Sequence, residues 1–302
     1  MHTQSGGALA ALSDDIAATV ERVAASVVAI QGRDRLGSTG FYIAPHTVVT
    51  ADHALEREDV RIVAAGGTVQ RATILARDPS TDIALLRSEV AGPAPLPAAY
   101  DTAVGAIALA VARDDDGDIA ATMGVVGSAG AAWRTWRGGE VDSFIRPDLA
   151  LSPRFSGSPL VDARGRLVGL NTWGLSRRQS LTVPAATVAR IADALVTRGR
   201  VARGYLGIAM QALQLPDRFG GGSGVIVLGV APEGPADAGG VIVGDIVTSL
   251  GGRRISESDD VQAALDAASV GAATTVTLLR GGTPRDLQIT IGERPHRDDA
   301  DD

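Results

Sequence analysis

Residues 40–55 read Gly40-Phe41-Tyr42-Ile43-Ala44-Pro45-His46-Thr47-Val48-Val49-Thr50-Ala51-Asp52-His53-Ala54-Leu55. The runs 40–43 and 47–50 are aromatic or β-branched, with a Pro-containing turn between them, so they read as a pair of strands. The second run then delivers His53 at a strand end entering a helical turn, which holds an imidazole beside a cleft. His46 follows Pro45 in the turn and reads as a surface residue.

Working outward, similar short apolar runs occur at 27–30, 60–63, 69–75, 83–86, 107–111, 120–126 and 160–171, broken by Gly, Pro or charge. Many short strands at such spacing predict an antiparallel sandwich or barrel. Before them, Ser13 is read as an N-cap with Asp14 and Asp15 in the first turn, and Ile16, Val20 and Val23 recur at helical spacing. This leaves 1–13 as an N-terminal tail. A helix is predicted from about Ala185 to Thr197, stopped by Gly199, within a linker over 185–203. A second unit over 204–292 shows strands near 204–209, 225–230, 246–250, 274–280 and 285–291. Its helix starts after Ser258, with Val261, Leu265 and Ala268 on one face. The polar stretch 293–302 reads as a disordered acidic tail.

The chain has 302 residues, which suggests roughly two domains at ~150 residues each. Its 28 basic and 35 acidic side chains leave a net charge of −7. That balance disfavours nucleic acid and anionic membrane surfaces as partners. No run is long and apolar enough for a membrane span. There is no cysteine, so disulfides, thiolate metal sites and cysteine nucleophiles are excluded. Every basic residue is Arg, which excludes Schiff-base lysines and a Walker phosphate loop. No metal ligand set or cofactor motif is evident; the acidic run 114–118 lacks the terminal Glu of a calcium loop. Residues 1–11 lack the basic and apolar regions of a secretory leader. The expectation is a cytoplasmic chain as the sequence stands, or a periplasmic or envelope one if the start is processed.

Three residues could do chemistry together. His53 is one. Asp82 precedes the apolar run Ile83-Ala84-Leu85-Leu86, where it would be partly buried. Ser156 lies in the tight turn Pro153-Arg154-Phe155-Ser156-Gly157-Ser158-Pro159. A Ser hydroxyl needs a base within reach, and a buried Asp fixes the base's tautomer and stabilises its cation. The chain order His–Asp–Ser also differs from the Ser–Asp–His order of α/β-hydrolases.

The segments Gly37-Ser38-Thr39-Gly40-Phe41, Thr50-Ala51-Asp52-His53-Ala54-Leu55, Asp82-Ile83-Ala84-Leu85-Leu86, Ser156-Gly157-Ser158-Pro159-Leu160 and Gly169-Leu170-Asn171-Thr172 resemble the protease domain of the HtrA family. Arg203-Gly204-Tyr205-Leu206-Gly207-Ile208 and Gly244-Asp245-Ile246-Val247 resemble its PDZ domain. The resemblance spans about residues 15–292. It implies a mainly β fold: a trypsin-like double β-barrel over 14–184, then an α+β PDZ domain over 204–292. It also implies an ATP-independent, metal-free serine endopeptidase acting on unfolded or misfolded proteins in quality control. His53 would be the base, Asp82 its orienting acid and Ser156 the nucleophile, with an oxyanion hole from the N–H groups of Arg154 and Ser156. The PDZ domain would bind protein C-termini through Tyr205, Leu206, Gly207 and Ile208, with Val261 and Leu265 lining the side-chain pocket. Members often form homotrimers, but the family's N-terminal aromatic contacts are not evident before Phe41.

Two positions depart from the family's Gly-Asn-Ser-Gly-Gly pattern: Arg154 and Ser158 stand where glycine is usual. A side chain restricts backbone that glycine enters freely. The alternative is therefore a catalytically silent protease fold serving as chaperone or peptide-binding scaffold.

Overall fold

The computed structural model describes residues 5–33, 37–176, 178–216, 221–265 and 270–294. The chain divides into a first unit ending at Arg200 and a second beginning at Val201.

Helix α1 (Ser5–Ala24) opens the first unit. The expected tail over 1–13 is thus already helical from Ser5, and Ser13 lies inside the helix rather than capping it. The Ala- and Leu-rich run 8–12 favours helix strongly enough to override the capping preference of Ser13. Residues 7–15 are exposed, while Thr19, Val23 and Ala24 are buried.

Six strands form a closed barrel in the order β1-β2-β3-β6-β5-β4. They are β1 (Val27–Gln31), β2 (Ser38–Ala44), β3 (Thr47–Ala51), β4 (Val60–Val63), β5 (Val69–Asp78) and β6 (Ile83–Ser88). Val28, Ile30, Tyr42, Val48, Ile62 and Leu86 share its core. Val27, Phe41, Val49 and Leu85 are buried as well. Residues of β1, β2, β3 and β6 are mostly buried on both faces, whereas β5 alternates exposed and buried positions.

The second sheet contains β7 (Ile107–Arg113), β8 (Ile119–Gly130), β11 (Phe144–Asp148), β12 (Pro159–Asp162), β13 (Leu167–Thr172) and β14 (Leu181–Pro184), with β9 (Trp133–Arg134) and β10 (Glu140–Val141) as a separate ribbon. Its order is β11-β8-β7-β12-β13-β14. Its edge strands β11 and β14 pack side by side, which makes the sheet barrel-like. Its core is unusually fine-grained: Ala108, Ala110 and Ala112 alternate along β7 beside Val126, Ile145, Leu160 and Phe155. The stretch 160–171 forms a pair of strands, β12 and β13. The Asp162 carboxylate takes the N–H groups of Arg164 and Arg166, and Gly165 turns the chain at φ 79°. Strands β11 and β14 have no counterpart in the sequence reading.

Buried Arg113 ties this sheet to the start of the unit. Its Nε donates to the Val27 carbonyl at 2.8 Å and its Nη2 to the Ala24 carbonyl at 2.7 Å. Helix α2 (Ala185–Arg198) ends at Gly199 in the left-handed region, φ 73°, as the sequence predicts. It packs on β5, β13 and β14, so this helix belongs to the first unit's body rather than to a linker.

Among the described residues the second unit has a main sheet in the order β16-β17-β18-β20-β21, with β19 paired to β18, and a two-stranded sheet of β15 and β22. Its strands are β15 (Gly204–Tyr205), β16 (Ile208–Gln214), β17 (Ser223–Val230), β18 (Ile246–Leu250), β19 (Arg253–Arg254), β20 (Ala273–Arg280), β21 (Thr283–Thr290) and β22 (Gly292–Glu293). The run 204–209 is split because Leu206-Gly207 bulges out, with Gly207 at φ 78°. Glu293 pairs with Gly204 in β22, so residue 293 is strand rather than tail; residues 295–302 of the expected tail lie outside the described residues. The described residues of the unit also form two short helices, α3 (Pro235–Ala238) and α4 (Ser258–Ala264). Glu257, not Ser258, caps α4 in a capping box with Asp260, and Ala268 lies outside the described residues.

Candidate active site

Strand β3 runs out at Ala51 into a single 3-10 turn, Asp52–Ala54, which carries His53. Asp82 sits immediately before β6, which pairs with β3 through Ala51↔Ile83. That register places base and acid side by side. The His53 N–H donates to Asp82 Oδ1 at 2.9 Å, and His53 Nδ1 stands 2.7 Å from Asp82 Oδ2. A carboxylate only accepts, so Nδ1 carries the ring proton and Nε2 offers its lone pair outward. Ser156 Oγ lies 3.1 Å from that Nε2. The three residues read from the sequence are therefore brought together within hydrogen-bond reach.

Asp82 is fully buried, and its backbone is left-handed, φ 59°. The preceding turn enforces this. The Asp78 carboxylate accepts from Ser80 Oγ and Thr81 Oγ1, both at 2.7 Å, and Thr135 Oγ1 donates to the Ser80 carbonyl at 2.7 Å. Thr172 Oγ1 supplies a further short hydrogen bond to Asp82 Oδ2, and the Gly174 N–H donates to Thr172 Oγ1 at 2.8 Å. A Cβ at Gly174 would lie 2.4 Å from Asp82 Oδ2. Thr172 was part of a quoted motif but had no assigned role; only the approach of β13 to the β5–β6 turn gives it one.

The turn that carries Ser156 is stitched to β2. The Thr39 N–H donates to the Ser156 carbonyl at 2.9 Å, and Thr39 Oγ1 donates to the Arg154 carbonyl at 2.9 Å. Gly157, at φ 82°, passes so close that a Cβ would lie 2.1 Å from the Thr39 carbonyl oxygen. Ser158 fits where the family usually has glycine. It is buried, and Asn171 Nδ2 donates to its Oγ at 3.1 Å, while Thr182 Oγ1 donates to Asn171 Oδ1 at 2.8 Å.

The expected oxyanion pair is arranged differently from the sequence reading. Residues Pro153–Phe155 form a 3-10 turn, and the Ser156 N–H donates to the Pro153 carbonyl at 3.0 Å. One of the two expected donors is thus occupied by the protein's own carbonyl. Arg154 is exposed and does not have positive φ. Rotating the Pro153–Arg154 peptide by half a turn would withdraw that carbonyl and carry Arg154 toward positive φ, where a Cβ is strained.

In the second unit, the Gly207 carbonyl accepts the Ala231 N–H at 2.7 Å and the Leu206 carbonyl accepts the Ala236 N–H at 2.8 Å. These bonds hold the Tyr205–Ile208 loop next to β16, an edge strand. Leu206, Val261 and Leu265 are buried in the core with half-buried Ile208, Met210 and Ala264 around them. Val261 and Leu265 therefore sit in the core rather than along an open groove.

Comparison with known proteins agrees with this geometry. The trypsin-like peptidase domain family matches residues 38–170, and the PDZ domain family matches residues 204–291. Protease Do-like 1, chloroplastic, of Arabidopsis thaliana is 32% identical over 270 residues, 82% of this chain and 61% of its own length. A probable periplasmic serine endoprotease DegP-like of Ectopseudomonas mendocina is 31% identical over 280 residues, 87% of this chain and 58% of its own. The chain thus spans about three-fifths of the length of these curated relatives. Among solved structures, the serine endoprotease from Yersinia pestis superposes with a TM-score of 0.75 at 25% identity, covering 92% of this chain and 97% of that one. HtrA-type protease AlgW with decapeptide gives 0.78 at 23% identity, covering 93% and 99%. With the peptidase and PDZ domains matched in sequence and the same order found in the fold, the chain belongs to the HtrA-type, DegP-like family of trypsin-like peptidases carrying a PDZ domain.

Proposed function

We infer that this chain is a serine endopeptidase that cleaves unfolded or misfolded polypeptides without ATP or metal, in protein quality control. The observation that carries the reading is the His53 bridge: 2.7 Å to Asp82 on one side and 3.1 Å to Ser156 on the other. Ser156 Oγ attacks the scissile carbonyl as its proton moves to His53 Nε2. Asp82 stabilises the resulting imidazolium, which then gives its proton to the leaving amine. Water repeats the sequence on the acyl-enzyme. The negative oxygen formed in each half needs donors at Ser156 N–H and Arg154 N–H. Substrate must therefore draw the Ser156 N–H away from the Pro153 carbonyl, so the resting enzyme is self-restrained.

The PDZ unit serves this reading by docking a peptide C-terminus on the β16 edge, with its carboxylate at the 205–208 loop. The HtrA-type protease AlgW described with a tripeptide supports peptide binding by a protein of this fold. Assembly of three copies belongs to the same reading. So does a periplasmic or envelope location, which the relatives named periplasmic favour over the cytoplasmic expectation. No helix of the described residues is long and apolar enough to cross a membrane. The silent-scaffold alternative rested on Arg154 and Ser158; Ser158 is accommodated by Asn171, and the triad is assembled.

The test compares wild type with Ser156→Ala on unfolded casein, with and without a peptide bearing a free hydrophobic C-terminus. Cleavage confined to wild type and raised by the peptide is the expected result. Equal cleavage by both proteins, or none by either under any peptide, overturns it.

A further inference from the structure

The turn that carries His53 is held from behind as well as from the front. Arg77, on β5, donates from Nη2 to the Leu55 carbonyl through a short bond and to the Asp52 carbonyl at 3.3 Å. Its Nε stands 2.8 Å from Asp52 Oδ1. One guanidinium thus spans both ends of the 52–55 turn and pairs with the carboxylate of the residue next to the base. The Asp52 N–H, in turn, donates to the Asp82 carbonyl at 3.2 Å.

We propose that Asp52 and Arg77 form a positioning pair that fixes the His53 turn and balances the charge of a second acid placed beside Asp82. The proposal rests on the hydrolytic reading of the same site and adds to it. The pair is needed because Asp52 is largely buried next to another buried carboxylate. Burial lifts the Asp52 carboxyl above its ordinary range and Arg77 draws it back. Asp82 and Asp78 push in the direction of burial, and Arg137 opposes them. A lone Asp52 carboxylate would favour the imidazolium form of His53, and a lone Arg77 would disfavour it. Only the intact pair presents no net charge to the His53 turn from this side. The planar fork matters too, because Nη2 serves the two carbonyls while Nε stands against the Asp52 carboxylate, and the single nitrogen of a Lys could not hold both places at once.

The experiment is a proton NMR titration of His53 in the full chain, in a Ser156→Ala background so that no turnover is required. The chain has 4 histidines, and a His53→Gln spectrum assigns the signal by difference. Asp52→Asn should lower the titration midpoint and Arg77→Gln should raise it, each by about half a pH unit. The double variant should return to the starting value. In the Ser156-containing enzyme, fluorophosphonate labelling at the pH plateau should fall roughly tenfold in Arg77→Gln, and Arg77→Lys should restore the midpoint but not the rate. Single variants that move the midpoint in the same direction, or not at all, overturn the proposal and leave the pair as ordinary packing. Should Arg77→Gln fail to fold, Asp52→Asn alone decides by the sign of its shift. Absence of any Ser156-dependent labelling in the parent chain would sink the hydrolytic reading instead, and the NMR cycle would still judge the pair.

Discussion

Ser156 faces two ways: its hydroxyl stands 3.1 Å from His53 Nε2, while its backbone N–H donates to the Pro153 carbonyl at 3.0 Å. The proposed nucleophile is therefore within reach of its proposed base, while the proposed oxyanion donor is spent on an internal bond. This separates two properties that a sequence motif merges. Assembly of the triad depends on strand register, whereas competence of the hole depends on one peptide plane.

Arg154 governs that plane. Opening the hole carries it toward positive φ, which costs a non-glycine residue about 1–2 kcal/mol. Arg154→Gly removes this penalty. It should raise the fluorophosphonate labelling rate of Ser156 roughly tenfold without any activating peptide. An unchanged rate would show that the Pro153–Ser156 bond does not limit reactivity.

Thr172 should matter to the reaction although it touches no substrate. Thr172→Val removes the hydroxyl that bonds Asp82 Oδ2 and leaves a buried carboxylate short of a donor, a loss of about 1–3 kcal/mol. kcat/KM on a peptide substrate should fall about ten- to a hundredfold, while Thr172→Ser retains most of it. Gly174→Ala should be more damaging, because its Cβ would press on the same carboxylate.

Asp245 anchors the PDZ unit. It is buried and accepts from Arg280 Nε and Nη2, both at 2.8 Å, and from the Ile242 N–H at 2.9 Å. Burial pushes its carboxyl upward, but the Arg280 and Ile242 hydrogen bonds and the nearby Arg280 and Arg285 charges outweigh this and hold it below the ordinary range. A depressed folded value means that stability is fully present above the unfolded value, about 3.9, and is lost as pH falls through the folded one. Hydrogen-exchange protection factors over residues 204–291, taken relative to the intrinsic rate at each pH, should therefore fall below about pH 4 in wild type. Asp245→Asn should lose about 2–4 kcal/mol at pH 7 and show a weaker acid dependence.

Arg113 should prove structural rather than catalytic. Arg113→Met leaves the Ala24 and Val27 carbonyls without their donor, a loss of about 2–3 kcal/mol. Thermal unfolding followed by tryptophan fluorescence reports this unit alone, since Trp133, Trp136 and Trp173 all lie in it. The melt should shift down while Ser156 labelling at low temperature is retained.

The amino-acid sequence by itself determined the β-rich architecture, the order of the two units and the candidate set of His53, Asp82 and Ser156, whose side chains the fold brings together. These are carried by local signals: β-branched runs, turn residues, and chemically distinctive side chains at strand ends. It also marked Gly199 as the end of α2. What it could not carry was anything that arises where distant segments meet. Thr172 on Asp82, Thr39 on the nucleophile turn, Arg77 behind His53 and Asn171 under Ser158 are joined by strand register, and their spacing along the chain holds no trace of it. The start of α1 was hidden because a favourable cap at Ser13 lost to the helix propensity around it. The state of the oxyanion loop was decided by tertiary structure alone, because a single peptide plane has two orientations compatible with the same residues. The hydrogen bond from Ser156 to Pro153 selects between them.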